Sequence, residues 1–463
     1  MIVPRSRLLF WVAVVVLPFA LIGAVSPPAL GVSLLCIGGL MAVVLADAIG
    51  ASKSLAGIGV KLPAVARMSK DRESKLELHL QNEHQRRRGL RVALTWPREI
   101  QTVSETVDAV LPSQSEWSRL IWSCTPRRRG NYQLDTAYVE GSSPMGFWSV
   151  RKAVPVQSEI RVYPNLLNER KNLAALFLNR GVFGMHAQRQ VGKGRDFEKL
   201  REYMPGDDYN EIHWKATARR GKPITKVFQI EKTQEVYVIL DASRLSARRV
   251  QSSKFKVQGS KPLQTQLGTL NSEPGTSVLE RFMTAALVLG LAAERQGDLF
   301  GLLTFTDKVE RFVRAKNGKN HYGCCRDALY TLEPKITTPD FDEVCTFIRL
   351  RLRRRVLLFF LTALDDPALA ESFVRNADLI RRQHLVLVNM IQMPGVKPLF
   401  ADPGVASLDD LYQQLGGHLQ WQKLRELQKV LQRRGVQFSL LDNERLSAEL
   451  VSQYLNVKQR QLL

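Results

Sequence analysis

Two long uncharged segments near the N-terminus constrain the fold of this chain more than any other feature. Residues 8–25 carry no charged side chain, and residues 29–49 carry only Asp47, close to their end. The length of each segment is close to the roughly 20 residues that an α-helix needs to cross the hydrocarbon core of a bilayer. The Ser-Pro-Pro sequence between them (residues 26–28) leaves room only for a tight turn. The sequence therefore predicts a transmembrane helical hairpin over residues 1–50.

Basic residues flank this hairpin on both sides. Arg5 and Arg7 precede the first segment, Lys53 and Lys61 follow the second, and the turn contains no basic residue. Lys and Arg concentrate on the cytoplasmic side of membrane proteins. We therefore expect a two-pass protein of the inner, cytoplasmic membrane with the bulk of the chain in the cytoplasm. A signal peptide is the alternative, but a second full-length apolar segment directly follows the first.

The overall composition is that of a folded, basic protein. The 463 residues are 45% hydrophobic and 24% charged, a balance that excludes wholesale disorder. The formal net charge of +22 favours contact with phospholipid headgroups, nucleic acid or an acidic protein. The five cysteines show no C-x-x-C spacing, which argues against a zinc site or a disulfide framework and fits a reducing compartment.

Short apolar runs follow the hairpin and predict a β-rich domain. Residues 75–80 read KLELHL, with alternating apolar and polar side chains, and further short runs lie at residues 90–95, 132–139 and 160–163. Turn residues separate these runs, which is typical of an antiparallel sandwich. We predict a β-sandwich-like domain over residues 60–165 and see no catalytic residue in it.

Strands and helices alternate in the C-terminal half. Five apolar runs are typical of buried parallel strands, at residues 236–241, 299–305, 356–361, 385–391 and 436–441. Between them, Ser277 with Glu280 forms a capping box for a helix that Gly297 ends, and Asp340 with Glu343 begins another helix, which we extend to Arg355. This order predicts a doubly wound α/β sheet. Residues 251–277, rich in Ser, Gln, Lys, Gly and Thr, are predicted to be a flexible insertion after its first strand.

The most specific pattern lies between the two predicted domains. Residues 192–231 read GKGRDFEKLREYMPGDDYNEIHWKATARRGKPITKVFQIE. This run resembles the signature of a bacterial family called domain of unknown function 58, and the layout of the whole chain is similar to that family. The resemblance implies that residues 185–460 combine the signature with a von Willebrand factor A-type α/β domain. It also implies a functional link to AAA+ ATPases of the MoxR kind in the assembly or activation of protein complexes.

The matching signature residues are the candidates for interaction. They are Asp196, Arg201, Glu202, Tyr203, Gly206, Asp207, Asp208, His213, Trp214, Lys215 and Arg219. Simpler structural interpretations accompany them. The Pro-Gly-Asp-Asp sequence has turn chemistry, and Trp214 is expected to anchor a core. His213 is a candidate acid or base only if a pocket surrounds it. The acidic residues of the turn and the arginines near them form either a buried ion network or a partner-facing patch.

The resemblance further implies a metal-ion-dependent adhesion site at the end of the first strand. Such sites use Asp-x-Ser-x-Ser, a Thr from a later loop and an Asp after the fourth strand, because a hard divalent cation requires oxygen ligands. Asp241 and Ser243 match this pattern, and Thr338 or the threonine before it supplies the third oxygen. Leu245 and Ala363 stand where the other oxygens are expected. The loop is therefore either a weak Mg²⁺ site or a degenerate site maintained by hydrogen bonds, and we favour the second.

No enzyme motif accompanies these features. The sequence contains no phosphate loop, no H-E-x-x-H and no G-x-S-x-G. We expect a non-enzymatic, membrane-anchored interaction or scaffold protein that works with a MoxR-type ATPase and needs no cofactor. The alternative is a basic, membrane-tethered binder of nucleic acid or anionic lipid, suggested by the net charge and by the arginines of residues 349–355. That run lacks the interleaved aromatic residues on which bases stack, which disfavours nucleic acid.

The basic flanks lead to a prediction about topology. A reporter fused after residue 60 should be active in the cytoplasm, because both flanks of the hairpin are basic and its turn is not. Paired alkaline phosphatase and fluorescent-protein fusions measure this, and fusions at the turn provide the opposite-side control. Phosphatase activity after residue 60 would contradict the expected orientation.

Overall fold

The apolar N-terminal residues form two helices. Helix α1 covers Ser6–Val25 and includes a π-helical stretch at Val12–Val16, and after a 3-10 turn helix α2 covers Leu30–Ser52. Both are long and apolar enough to cross a membrane. Only 6% and 11% of their most apolar windows are buried, which distinguishes them from the core helices of a water-soluble domain.

The computed structural model describes residues 1–25, 27–52, 54–85, 87–167, 169, 191–205, 207–229, 234–250, 276–399, 401 and 408–460. The chain divides into two units, Met1–Asn165 and Leu166–Leu463.

The first unit contains, besides the two helices, two sheets. Its strands are β1 (Ile2–Pro4), β2 (Ile58–Lys61), β3 (Val65–Ser69), β4 (Ser74–Asn82), β5 (Arg88–Leu94), β6 (Ile100–Thr102), β7 (Thr106–Leu111), β8 (Trp117–Pro126), β9 (Gly130–Ser142) and β10 (Trp148–Tyr163). One sheet has the order β1-β10-β9-β5-β7 with β3 beside β10, and the other has the order β2-β4-β8-β6. All pairs are antiparallel except β3 with β10.

The alternating pattern of β4 explains the core of this unit. Leu76, Leu78 and Leu80 are buried, and they share one hydrophobic cluster with Val92 of β5 and Val139 of β9. Alternate residues of a strand point to opposite faces, so both sheets direct their apolar faces into a common core. The sequence did not predict β1, which precedes the first apolar segment and pairs with the start of β10.

The signature residues lie in the N-terminal part of the second unit. They form the two-stranded sheet of β11 (Val191–Glu202) and β12 (Ile224–Gln229), with helix α3 (Trp214–Arg220) in the connection. The strands that follow are β13 (Glu235–Asp241), β14 (Arg249–Val250), β15 (Thr276–Ser277), β16 (Leu299–Phe305), β17 (Val309–Lys316), β18 (Leu357–Leu361), β19 (Leu385–Ile391) and β20 (Gln437–Leu441). The helices are α4 (Val278–Arg295), α5 (Lys319–Leu329), α6 (Phe341–Arg351), α7 (Pro367–Ile380), α8 (Leu408–Arg433) and α9 (Leu446–Gln459).

The main sheet of the second unit has the order β17-β16-β13-β18-β19-β20. Its strands run parallel except β17, which pairs with β16 in the antiparallel sense. Val236, Val238 and Leu240 of β13 face one hydrophobic cluster, and Tyr237 and Ile239 face the other. Apolar side chains thus cover both faces of the sheet, which explains the nearly continuous apolar runs of its strands. The sheet is doubly wound, and its strand order reverses between β13 and β18.

The structure changes three details of this α/β region. Strand β17 was not predicted, because only one of its eight residues is fully buried. Helix α6 ends at Arg351 instead of continuing to Arg355. Thr276 and Ser277 pair with β14, so the last two residues of the predicted insertion are structural, and its remainder, residues 251–275, lies outside the described residues.

A buried carboxylate ties the amino end of the sheet to the last helix. Asp298, which is 1% exposed, accepts the backbone N–H of Gln234 at 3.1 Å and the ammonium of Lys458 at 2.8 Å. It also accepts the hydroxyl of Tyr454. A buried carboxylate stabilises a fold only when donors satisfy it, and these three donors connect β13 and α9 to the start of β16.

A buried histidine makes the second unit sensitive to pH. His384 precedes β19, is 2% exposed, and neither ring nitrogen has a hydrogen-bond partner among the described residues. Burial lowers the pKa of His384 to about 4. Because the pKa is near 6.5 in an unfolded chain, the unfolded state binds more protons between these values. The contribution of neutral His384 to the free energy of unfolding is therefore fully present above about pH 6.5, and it is lost as the pH decreases toward 4.

We predict that the second unit loses about 1–2 kcal/mol of its free energy of unfolding between about pH 6.5 and 4, and that His384→Leu removes this pH dependence. Urea unfolding of the full chain is monitored through the labelling of the buried thiol of Cys345, which reports on the second unit. Labelling of Cys124 reports on the first unit and is the internal control. An unchanged pH dependence in the variant would show that other groups cause it.

Candidate functional site

The carboxyl ends of β13 and β18 form one candidate site. Ligands of open α/β sheets bind at the carboxyl edge where the strand order reverses, and this point lies between these two strands. Asp241, the last residue of β13, is fully buried. Its carboxylate accepts the hydroxyl of Thr362 at 2.6 Å and the backbone N–H of Ser243 at 2.8 Å. Burial raises the pKa of Asp241, and these donors oppose that effect.

The residues at this edge do not fit a bound divalent cation. Ser243 accepts the N–H of Leu245 at 3.4 Å and caps the short 3-10 turn that follows. Leu245 and Ala363 are buried in the apolar core, and Thr338 is exposed. Within the part of the chain that the structure describes, no group of three or more His, Cys, Asp or Glu side chains could hold a metal ion. Asp241 and Ser243 instead make hydrogen bonds within the chain. The hydroxyl of Thr337, the alternative to Thr338, is buried without a hydrogen-bond partner among the described residues.

Two ion pairs at this edge were not predicted from the sequence. Arg248 pairs with Asp365, whose side chain is 8% exposed, and so connects the loop after β13 to the loop after β18. Lys335 pairs with Glu310 at 2.6 Å. The cationic side chains of the protein thus neutralise carboxylates at the edge. The sequence alone does not show which arginine pairs with Asp365, because three arginines lie within residues 244–249.

The turn of the signature is built around Asp207. Its carboxylate accepts the guanidinium of Arg201 at 2.6 Å and the backbone N–H of Met204 at 3.0 Å. The hydrogen bond from Met204, with Arg201 nearby, lowers the pKa of Asp207. This ion pair is internal to the signature and braces its turn. Gly206 of the same turn lies outside the described residues.

Two other signature residues are helix caps. Asp208 accepts the N–H of Asn210 at 3.1 Å and caps a 3-10 turn. His213 accepts the N–H of Ala216 through Nδ1 at 3.0 Å and caps α3. Capping uses a side-chain acceptor to satisfy a backbone donor at the start of a helix. The structure therefore gives the imidazole of His213 a structural partner.

The prediction that Trp214 anchors a core was wrong. Trp214 begins α3 and is 67% exposed, and no residue of this seven-residue helix is buried. Tyr209 is 73% exposed and Met204 60% exposed. We call the exposed residues Leu200, Met204, Tyr209 and Trp214 the signature surface.

The remaining candidates are distributed over the same segment of the chain. Lys215 and Arg219 are exposed on α3, and Glu202 is exposed near the ammonium of Lys222, at 3.7 Å. Tyr203 packs beside the ring of Tyr209, with a centroid distance of 6.2 Å. Asp196 pairs with Gln229 across the β11–β12 sheet, and its side chain lies outside the described residues.

The family comparison agrees with the signature. Residues 199–411 match the family described as "Protein of unknown function DUF58". This match confirms the family that the signature residues predict, and we assign this segment of the chain to it. No curated protein matches the sequence.

Solved structures show limited likeness. Proximal thread matrix protein 1 from the mussel byssus is 11% identical with a TM-score of 0.25, and the match covers 48% of this chain and 45% of that protein. An aerotolerance-related membrane protein from Bacteroides fragilis, with multiple mutations to serines, is 13% identical with a TM-score of 0.26 and coverages of 48% and 98%. An uncharacterized membrane spanning protein from Vibrio fischeri is 15% identical with a TM-score of 0.17 and the same coverages. The chain thus spans less than half of the mussel protein.

The edge geometry leads to a prediction about metal binding. We expect the full chain to show no saturable Mg²⁺ binding below about 1 mM in calorimetry, since apolar side chains occupy two ligand positions. Leu245→Ser combined with Ala363→Asp should create measurable Mg²⁺ affinity, and each single change should create less. Submillimolar binding by the unmodified chain would contradict the assignment of Asp241 to a purely structural role.

Proposed function

We propose that this chain is a membrane-anchored protein-interaction module that works with a MoxR-type AAA+ ATPase in the assembly or activation of protein complexes. The observation that carries the proposal is the exposure of the signature surface. The family match over residues 199–411 supports the proposal, because the family resemblance implies such a partner.

The chemistry of the signature surface suits a protein partner. Trp and Tyr are enriched among the residues that dominate binding energy at protein interfaces. Trp214 and Tyr209 are both more than half exposed, and Met204 adds a flexible apolar contact. Lys215 and Arg219 add positive charge, which favours an acidic surface on the partner. The internal bonds of Asp207 and His213 hold this segment in shape without using its exposed side chains.

We also propose that the second unit is a von Willebrand factor A-type domain that recognises its partner without a metal ion. Five parallel strands with an antiparallel edge strand, and helices that contribute to the clusters on both faces, support this assignment. The hydrogen bond from Thr362 to Asp241 stabilises the carboxyl edge in place of a cation.

The proposed location is the inner membrane, with both units' water-soluble parts in the cytoplasm. The two apolar helices support membrane anchoring, and the basic residues at their flanks support the orientation. The net charge of +22 then lies beside an anionic leaflet.

We propose no catalytic role for the chain. The alternative function, binding of nucleic acid or anionic lipid, depends on the arginines after Phe347. Arg349 and Arg351 lie in the last turn of α6, where cations interact favourably with the helix dipole. The guanidinium of Arg351 lies 5.8 Å from the ring centre of Phe347. These contacts give part of the arginine run a role within the unit, so the interaction module remains our first proposal.

Substitutions on the signature surface test this function. We expect Trp214→Ala and Tyr209→Ala each to reduce co-purification of an AAA+ ATPase from detergent-solubilised membranes by at least about tenfold, as for a residue central to an interface. Tyr412→Ala is the matched control, because Tyr412 is similarly exposed, at 70%, on α8. Purifications with and without nucleotide, quantified by mass spectrometry, measure the effect.

Two outcomes would contradict the proposal. In one, no AAA+ ATPase accompanies the unmodified chain in either nucleotide state. In the other, the signature variants and Tyr412→Ala retain the ATPase equally, which would place the contact elsewhere.

A further inference from the structure

One loop of the first unit holds the end of the second apolar helix. Asp47 of α2 is 3% exposed, and its carboxylate accepts the hydroxyl of Ser143 at 2.6 Å. It also accepts the backbone N–H groups of Met145 at 2.9 Å and Phe147 at 3.2 Å. Three donors from one turn therefore converge on the only charged residue of α2. We call Ser143–Phe147 the clamp loop.

The same loop holds the start of the first apolar helix. The backbone N–H of Arg5, which precedes α1, donates to the carbonyl of Phe147 at 2.9 Å. Strand β1 pairs with β10 immediately after the loop, with Pro4 opposite Trp148. Both flanks of the helical hairpin are therefore attached to one turn of the β sheets and lie on the same side of the apolar segments.

The clamp loop lies where the apolar part of the hairpin ends. Leu8 and Val44 bury themselves against Phe147 and form a small separate hydrophobic cluster. The indole N–H of Trp148 donates to the carbonyl of Val44 at 3.1 Å. In membrane proteins Trp is enriched at the level of the headgroups, where its ring is apolar and its N–H is polar.

The surface of the clamp loop carries the side chains that a headgroup layer would contact. Met145 is 56% exposed at its tip. Arg5 and Arg7 are exposed beside it. Gly146 has a φ of +81°, and a β-carbon there would lie 3.3 Å from Nη1 of Arg7, so the glycine allows the arginine to approach the loop.

We propose that the clamp loop, with Arg5 and Arg7, is a membrane-contacting surface that binds anionic phospholipid headgroups. Met145 enters the interface between headgroups and hydrocarbon, and the two guanidinium groups bind lipid phosphates. Asp47 holds the loop at this depth and thereby sets the distance of the β sheets from the bilayer. The inference rests on the membrane anchoring proposed above and is independent of the ATPase.

A depth measurement tests the surface. The full chain, with Cys36 and Cys324 replaced by Ala, is reconstituted in nanodiscs that contain lipids with a nitroxide quencher near the headgroup. A fluorophore is attached at Met145→Cys or, as the control, at Val103→Cys. Val103 is 87% exposed and follows β6, which pairs with the end of β8. The end of β8 leads into the start of β9 at Gly130. The 13 residues of β9 separate this start from the clamp loop by on the order of 40 Å.

We expect quenching at position 145 to exceed that at position 103 by at least about threefold, because nitroxide quenching is limited to short distances compared with the 30 Å hydrocarbon core. Asp47→Ala should reduce quenching at position 145, whereas Ser142→Ala, at the neighbouring exposed residue, should not. Quenching at position 145 should be stronger in nanodiscs of anionic phosphatidylglycerol than in those of phosphatidylcholine. The double substitution Arg5→Gln with Arg7→Gln should abolish this difference.

The possible failures are distinguishable. Equal quenching at positions 145 and 103, in a chain that resists extraction by alkaline carbonate, would overturn the membrane-contacting surface and leave the anchoring intact. Extraction of the unmodified chain by carbonate would overturn the anchoring itself. Quenching that is identical in the two lipids, before the arginines are changed, would overturn the binding of anionic headgroups. No ATPase is present in the assay, so its result is separate from the partner proposal.

Discussion

The structure depends on one physical constraint, which is that a carboxylate removed from water needs hydrogen-bond donors around it. The chain meets this constraint at three junctions. Asp47 gathers the clamp loop at the end of α2, Asp241 links the ends of β13 and β18, and Asp298 joins the amino end of the sheet to α9. In each case, loss of the carboxylate would leave donors of another element unsatisfied, so each acid maintains an arrangement of elements as well as its own environment.

The same constraint explains why we place partner binding at the signature surface and not at the carboxyl edge of the main sheet. At the carboxyl edge the acidic side chains already have partners, since Asp241 accepts from Thr362 and Asp365 pairs with Arg248. At the signature, the internal bonds of Asp207 and His213 build a scaffold whose apolar residues stay exposed. A carboxylate that already has donors or a cationic partner within the chain has less to offer a metal ion, whereas exposed Trp and Tyr retain apolar area for a partner. The signature surface is therefore the stronger candidate for recognition.

Much of the fold follows from periodicity, and much of the site does not. The apolar runs of β16 and β19 were predicted to the residue, and the caps at Ser277 and Asp340 begin α4 and α6 as expected. The prediction for Trp214 was wrong, because Trp is usually well buried but no residue of the seven-residue helix α3 is buried. The strand β1 was missed because three residues carry no periodicity, and β17 because its face is only partly buried.

The sequence by itself determined three kinds of element in this protein: two membrane-length helices, several of the alternating strands, and buried parallel strands separated by capped helices. Each of these depends on residues within a few positions of one another, where hydropathy patterns and caps act. Only the tertiary structure decided which donors meet which carboxylates. Ser143 lies 96 residues from Asp47, and Thr362 lies 121 residues from Asp241. No local pattern specifies such pairs, because they arise when separate strands and helices pack together and bring their ends to the same place.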